Sequence, residues 1–382
     1  MFQQSKVPFL SALVGTLVFF WPALSAAQIT QSDAQTQVDR ALIEHNLVGL
    51  GMAVYTPDLD EPIVVVAGER KRGSDDMIAA SDAWHIGSNT KMLTALSYAK
   101  LVERGDAKWG ATLPELFPHP AETIHPDWQD VTIEDLLAHR SGLAPNIGRM
   151  AMVARILDER SLYVQRTGLV AETLINPASG AKDEFAYSNL GYIIAGTAIE
   201  HLIVRGDRTQ HEVPFEIIFF LIFDDSLADI FGTFGFGPPK EGIQGHRKGL
   251  FGNRLNGVGY SDQADNPAIF GPAGTMHIDL RTHVLFLAKH FISGDISIKE
   301  KLLKPYPNSE SDYALGWGIG NIEGIGQVYG HSGSNTMWLS NVTYASSLEA
   351  IVIVNTNQFN TDARTAVREI TAEILTQIAD TK

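Results

Sequence analysis

The stretch 84-WHIGSNTKMLTALSYAK-100 begins a helix at the boundary between a strand-rich and a helix-rich part of the chain. Its apolar residues recur at helical spacing, namely Met92, Ala95, Leu96, Ala99 and Val102. Ser88 opens this pattern, and serine is a common helix cap. Three residues later, where a capping box has Glu or Gln, the chain has Lys91. A cation in the first turn opposes the helix dipole at a cost of about 0.3–1 kcal/mol, which raises the question of whether Lys91 acts chemically on Ser88.

The segments on either side of this helix differ in type. Strand-like runs lie toward both ends of the chain, at residues 50–56, 62–68, 326–332, 337–345 and 349–356. A capped helix is expected at 32–46, and a last helix has an apolar face at Ala363, Val367, Ile370, Ile374 and Ile378. Between about 110 and 270 the pattern is helical, broken by Pro and Gly.

We therefore predict an α/β (α+β) fold in which N- and C-terminal strands form an antiparallel sheet flanked by the terminal helices. A mostly helical domain is inserted, so that the α/β part is 28–87 and 271–382 and the helical part is 88–270. The helix at Ser88 then lies at the cleft between the two parts.

Composition excludes several classes of function. The chain has 382 residues, of which 45% are hydrophobic and 19% charged, as in an ordinary globular protein. Its net charge of −15 argues against a nucleic-acid partner, which requires a basic face. The absence of cysteine excludes disulfides, thiol catalysis and thiolate metal sites.

The first 27 residues have the layout of a signal peptide. One lysine precedes a nearly continuous apolar run from Val7 to Leu24, and small residues follow at 25–27. We expect cleavage after Ala27 and a periplasmic or secreted protein; an uncleaved membrane anchor is the alternative.

Metal and dinucleotide sites have no support in the sequence. The 12 histidines are scattered and form no HExxH pair, and neither a Walker loop nor a GxGxxG motif is present. The run 330-GHSGS-334 nearly matches the GxSxG elbow of hydrolases, but its last residue is wrong and no histidine follows His331. We expect no metal and no cofactor.

The SxxK pattern occurs three times, and only one copy is suited to catalysis. Ser97 and Lys100 fall in the middle of a helix, and Ser179 and Lys182 fall in a loop. Ser88 alone opens a helix, so its backbone N–H is free to receive negative charge and Lys91 lies one turn away on the same face. The dipole and burial favour the neutral lysine that a general base requires.

Two further motifs accompany this serine and lysine. The stretch 185-FAYSNLGY-192 contains Tyr187-Ser188-Asn189, and 330-GHSGS-334 contains His331-Ser332-Gly333. In order and spacing these motifs resemble those of the class C β-lactamases, penicillin-binding proteins and related esterases and D-amino-acid peptidases. Flanking stretches that also resemble this family are 136-LLAHRSGL-143, 234-FGFGPP-239, 271-GPAGTMHI-278 and 313-YALGWG-318.

The resemblance implies a role for each residue. Ser88 would be the nucleophile that forms an acyl-enzyme, with Lys91 and Tyr187 sharing the proton transfers. The supporting residues would be Asn189, which holds Lys91 and the substrate, His331 and Gly333 on the far wall, and Ser334, whose amide is the second oxyanion donor. Taken singly, each of Tyr187, Asn189 and His331 is also explained by ordinary packing or turn formation.

Two features depart from the family pattern. His331 replaces the lysine of the third β-lactamase motif and carries a full charge only below about pH 6.5, so the chain looks more like the esterases and D-peptidases than a dedicated β-lactamase. The apolar segment 208–232 either shapes an acyl pocket or outer patch, or is a buried helix.

The leading interpretation is thus a secreted serine hydrolase acting on an ester, a D-amino-acid peptide or a β-lactam. The alternative is a non-hydrolytic, penicillin-binding-like sensor of peptidoglycan or another ligand. The expected partner is a small-molecule or peptide substrate, with peptidoglycan fragments as one source.

Overall fold

The structure is a computed structural model that describes residues 29–118, 123–207, 212–228, 230, 232–249 and 254–382. The predicted signal peptide lies outside these residues. Among the helices of the described ranges, none combines the length and the apolarity needed to cross a membrane.

Helices account for much of the described chain, and most begin at a capping residue. They are α1 Gln31–Glu44, α2 Thr90–Arg104, α3 Leu113–Leu116, α4 Ile133–Leu137, α5 Arg149–Ile156, α6 Leu162–Leu174, α7 Asn189–Asp207, α8 Phe215–Ala228, α9 Gly271–Gly274, α10 Leu280–Phe291, α11 Ile296–Leu303 and α12 Thr361–Thr381. Thr30, for example, forms a capping box with Asp33 at the start of α1.

The strands are grouped at the two ends of the chain, with shorter ones between. They are β1 Gly49–Tyr55, β2 Ile63–Gly68, β3 Ala83–His85, β4 Phe234–Phe236, β5 His246–Lys248, β6 Leu255–Gly257, β7 Met276–Asp279, β8 Gly318–Ile322, β9 Gly326–Gly333, β10 Leu339–Ala345 and β11 Ala350–Thr356. The main sheet has six strands in the order β2-β1-β11-β10-β9-β8, and every neighbouring pair is antiparallel.

The main sheet separates two apolar cores. On one face α1 and α12 pack against β1, β2 and β11, burying residues such as Val38, Val354 and Ile370. On the other face α2, α10 and the helical region share a larger core that contains Trp84, Leu96 and Leu280. The predicted fold class is confirmed, because N- and C-terminal strands form one antiparallel sheet with the terminal helices on it.

A second, small sheet lies beside the main one, and no pattern in the sequence predicts it. Strand β7 pairs with β3 on one side and with β4 on the other, and β5 pairs with β6 as a separate hairpin. The sequence pattern of residues 277–291 is helical, but residues 277–279 belong to strand β7 and the helix α10 begins only at Leu280. Strand β3 ends at His85, so the small sheet leads the chain directly to Ser88.

Within the apolar segment, helix α8 packs one side against the core and leaves Ile217 and Leu221 exposed. Phe219 on α8 is only 1% exposed and contacts the rings of Phe215, Phe223 and Phe286. The acyl-pocket interpretation of this segment is therefore wrong, because its phenylalanines fill the interior rather than the cleft described below.

Candidate active site

Ser88 lies in a tight turn ahead of α2. Residues Gly87–Asn89 form a 3₁₀ turn and Thr90 begins the α-helix, so Asn89 rather than Ser88 occupies the cap position. The expectation that Ser88 opens the helix is wrong in this detail, because a 3₁₀ turn begins at Gly87, whose backbone is left-handed (φ 52°), and precedes the α-helix. Asn89 fixes the turn by donating to Ser340 Oγ at 2.8 Å.

Lys91 points from the first turn of α2 toward Ser88. Its Nζ lies 3.1 Å from Ser88 Oγ, 2.7 Å from Asn189 Oδ1 and 2.6 Å from the carbonyl oxygen of Ala273. The side chain is fully buried, and burial lowers the pKa of Lys91 well below its usual value. The position that is unfavourable for helix stability thus promotes the neutral amine.

Tyr187 lies on the other side of Ser88. Its ring is 4.9 Å from Lys91 Nζ, and its hydroxyl forms a hydrogen bond with Ser88. Burial raises the pKa of Tyr187 to about 12, although the Ser88 hydrogen bond opposes this shift. The phenol is consequently protonated at neutral pH and is suited to donate a proton.

Asn189 connects Lys91 to a second loop. It is the first residue of α7; its Oδ1 accepts from Lys91, and its Nδ2 donates to Asn146 Oδ1 at 2.8 Å. Only one orientation of the amide satisfies both contacts, so Asn189 holds the lysine amine in a fixed direction.

His139 is a site residue that the sequence analysis did not single out. Its ring lies 4.2 Å from the Tyr187 ring, centre to centre, and its Nδ1 accepts from the Ser188 N–H at 3.1 Å. Burial, with Lys91 nearby, lowers the pKa of His139 well below its usual value. The quoted stretch 136-LLAHRSGL-143 was a signal for it, but His139 has a left-handed backbone (φ 60°) whose effect the sequence does not reveal.

His331 belongs to the opposite wall, on β9. Its ring centre is 6.2 Å from that of Tyr187, and the residue is 9% exposed. Burial, assisted by Lys91, lowers the pKa of His331 to about 3. The titration near pH 6.5 expected from its ordinary value does not apply, and His331 is a neutral wall of the site at physiological pH.

The backbone of Gly333 and Ser334 packs directly against the turn that holds Ser88. A Cβ on Gly333 would lie 2.8 Å from the Ser88 nitrogen, and a Cβ on Gly87 would lie 2.4 Å from the Ser334 nitrogen. Glycine is required at both positions because the two backbones leave no room for a side chain. The amides of Ser88 and Ser334 are therefore neighbours, as an oxyanion site requires.

A cleft of about 800 Å³ opens at Ser88. Ser88, Tyr187 and residues 332–334 line its inner end, and it continues between the main sheet and α12. Its walls are mainly apolar, with Val328, Leu339 and Val367 among them, and Arg364 and Arg368 stand along α12.

The structure brings the predicted site residues together around Ser88, and it separates the other SxxK copies from them. Ser97 donates to the carbonyl of Leu93 inside α2, and Lys182 lies 3.7 Å from Asp130. Within the described ranges no group of three or more His, Cys, Asp or Glu side chains could hold a metal ion.

Solved structures share this fold over nearly the whole chain. The D-amino acid amidase of Ochrobactrum anthropi SV3, in complex with L-phenylalanine amide, matches with a TM-score of 0.71 and 20% identity over 91% of this chain and 98% of that one. An octameric penicillin-binding protein homologue from Pyrococcus abyssi matches with a TM-score of 0.68 and 19% identity, covering 91% and 78% of the two chains.

The sequence itself also matches a family. Residues 40–208 fit the family model described as Beta-lactamase. The match covers less than half of the chain, and over this part the chain is similar to that family. The matched segment includes the candidate residues Ser88, Lys91 and Tyr187, whereas His331 and Ser334 lie beyond it.

One sequence relative is Protein flp of Staphylococcus aureus strain MW2. It is 26% identical over 187 residues, which is 47% of this chain and 36% of that protein. The chain thus matches about a third of the length of this relative.

Proposed function

We propose that the protein is an exported serine hydrolase that cleaves an ester or amide bond through an acyl-enzyme on Ser88. The observation that carries this proposal is the environment of the Lys91 amine. A neutral amine has two N–H bonds and one lone pair. Asn189 Oδ1 and the Ala273 carbonyl accept the two N–H bonds, so the lone pair faces Ser88 Oγ at 3.1 Å.

Acylation follows from this arrangement. Ser88 Oγ gives its proton to Lys91 and forms a bond to the substrate carbonyl carbon, while the carbonyl oxygen gains negative charge between the amides of Ser88 and Ser334. The tetrahedral intermediate collapses with cleavage of the bond to the leaving group. Tyr187 donates its phenolic proton to that group and regains one from Lys91, which returns the lysine to its neutral form.

Deacylation uses the same groups in reverse. Water takes the position of the departed leaving group and gives a proton through Tyr187 to Lys91 as it attacks the acyl carbon. The proton then returns to Ser88 Oγ when the ester bond breaks. The carboxylic acid product leaves, and the active site is restored.

Features of the cleft favour neutral esters and D-amino-acid amides over β-lactams. The third motif of β-lactamases provides a cation, whereas buried His331 is neutral at pH 7 and cannot attract a substrate carboxylate from that position. The apolar walls suit a substrate with a hydrocarbon part. The similarity in fold to a D-amino acid amidase supports the amide class.

A substrate panel tests the proposal. Purified protein should hydrolyse p-nitrophenyl butyrate and D-phenylalanine amide with a larger kcat/KM than nitrocefin. Ser88→Ala should lower these rates at least 1,000-fold, and Lys91→Met about 100- to 10,000-fold, the range for loss of a general base.

The second SxxK copy provides the matched control. Ser97→Ala removes a serine hydroxyl from the same helix, where it donates to the Leu93 carbonyl, and should leave activity unchanged. Turnover that survives in Ser88→Ala would contradict the proposal. One equivalent of released p-nitrophenol without further turnover would instead indicate the ligand-sensor alternative.

A further inference from the structure

A buried histidine that takes no part in the proposed reaction lies three residues before the nucleophile. His85 ends β3, has no exposed surface and faces His277 of β7 across the small sheet. The Gly87 N–H donates to its Nδ1 at 3.2 Å. Because Nδ1 accepts this bond, the neutral ring carries its proton on Nε2, on the side that points away from the turn.

A buried carboxylate lies beside that nitrogen. Asp265 Oδ2 is 2.8 Å from His85 Nε2, and neither side chain has any exposed surface. The approach is short but not aligned as an ideal hydrogen bond, so its effect rests on the proximity of two groups that are shielded from water together.

The other oxygen of the same carboxylate reaches the opposite wall. Asp265 Oδ1 accepts from Asn335 Nδ2 at 3.1 Å, and Asn335 Oδ1 accepts from the Met337 N–H at 3.2 Å. Asn335 is buried and directly follows Ser334. The Asp265 carboxylate therefore connects His85, which accepts from the Gly87 N–H, with Asn335, which follows Ser334.

The contacts of Asp265 with His85 and Asn335 lie beside two backbone segments, 87–88 and 333–334, that are in direct contact. No side chain fits between Gly87 and Ser334 or between Gly333 and Ser88, as the close approaches of their backbones show. The distance between the two amides thus depends on how firmly each segment is held from outside. Errors of about 1 Å in such positions are costly in catalysis.

We propose that His85, Asp265 and Asn335 are positioning residues that hold the Ser88 and Ser334 amides at the separation that the oxyanion requires. This inference rests on the proposed function and deepens it. Loss of a whole oxyanion donor costs about 100- to 1,000-fold in kcat. Loss of the network keeps both donors but loosens their spacing, so we expect kcat to fall about 10- to 100-fold.

The first test is Asp265→Asn, which keeps the size of the side chain but replaces one acceptor oxygen by a donor group. That group must face the N–H of either His85 or Asn335. For p-nitrophenyl butyrate we expect kcat to fall about 10- to 100-fold with KM within threefold of the wild type. The inhibition constant of a phenylboronic acid should rise by the same factor, because its tetrahedral adduct on Ser88 occupies the oxyanion site.

Two more variants keep the test decisive if Asp265→Asn is poorly folded. His85→Gln preserves a donor toward Asp265 but removes the acceptor for Gly87, and should lower kcat about tenfold. Adding Asn335→Asp to Asp265→Asn places an amide donor at position 265 opposite a carboxylate acceptor at position 335, so the hydrogen bond is restored with its direction reversed. The double variant should recover at least tenfold in kcat and in boronate affinity relative to Asp265→Asn.

A purely structural role predicts different results. His283 is a buried histidine on α10, away from the cleft, and His283→Gln is the matched control. It should lower the melting temperature without changing kcat or boronate affinity. Folded Asp265→Asn and His85→Gln proteins that behave in the same way would overturn the positioning proposal while leaving the proposed function intact. A wild type that forms no acyl-enzyme at Ser88 would overturn both.

Discussion

Replacing Lys91 by methionine should change how stability depends on pH. The amine of Lys91 is buried and its pKa is lowered well below 10.5, whereas the unfolded chain returns it to its ordinary value. Between these two values the unfolded state binds one more proton than the folded state. The stability of the wild type therefore rises with pH across this window, by about 1.4 kcal/mol per pH unit, and falls as pH is lowered.

Methionine cannot titrate, so Lys91→Met loses this slope. It also leaves Asn189 Oδ1 and the Ala273 carbonyl without their donor, at about 1–3 kcal/mol for each orphaned group. The wild type should be clearly the more stable protein at pH 10. The difference in the free energy of unfolding between the two proteins should narrow by about 2 kcal/mol when the pH is lowered by 1.5 units to pH 8.5.

Urea unfolding of both proteins at the two pH values measures this difference, because other titrating groups are common to both and largely cancel. Lys100→Met is the control: it removes a lysine from the same helix, where Lys100 pairs with Glu103, but retains Lys91. It should keep the wild-type slope. A gap between wild type and Lys91→Met that stays constant with pH, or widens as pH falls, would refute the assignment of a neutral buried lysine.

Three other residues, in the site, the cleft and the core, provide further predictions. His139→Phe keeps an aromatic ring against Tyr187 but removes the acceptor of the Ser188 N–H. This variant should lower kcat about tenfold with little change in KM. An unchanged kcat would exclude a role of His139 in orienting Tyr187. Ala372→Trp narrows the far end of the cleft. It should lower kcat/KM at least tenfold for p-nitrophenyl decanoate but leave it unchanged for p-nitrophenyl acetate. Equal losses for the two esters would show that substrates do not extend to the far end of the cleft. Phe219→Asp puts an unpaired charge in the core and should prevent folding, measured by circular dichroism, whereas a folded, soluble variant would contradict its burial.

Much of the fold was predictable because its strands and helices have regular local patterns. The strands at 49–55 and 350–356 have apolar runs bounded by turns, and α12 has an apolar face of helical period. The small sheet was not predictable in the same way. Strands β3 and β4 have only three residues each, and their pairing with β7 joins segments about 40 to 190 residues apart, so no local pattern indicates it.

The candidate site likewise has some residues that the sequence predicts and some contacts that it does not. Ser88, Lys91 and Tyr187 were found because their side chains recur in recognisable motifs. The Ala273 acceptor is a backbone carbonyl, which no residue type identifies, and the contact of His139 with Tyr187 depends on tertiary packing. The low pKa of His331 likewise arises from burial in the folded protein and not from its neighbours in the sequence.

The central claim is that Ser88 is an activated nucleophile, and covalent labelling tests it most directly. After brief treatment with an alkyl fluorophosphonate, intact-mass spectrometry and peptide mapping should show one phosphonyl group, located on Ser88. Ser97→Ala should label like the wild type, and Ser88→Ala should not label. A folded wild type that remains unmodified after prolonged exposure, or a Ser88→Ala variant that is modified as fully as the wild type, would contradict the account.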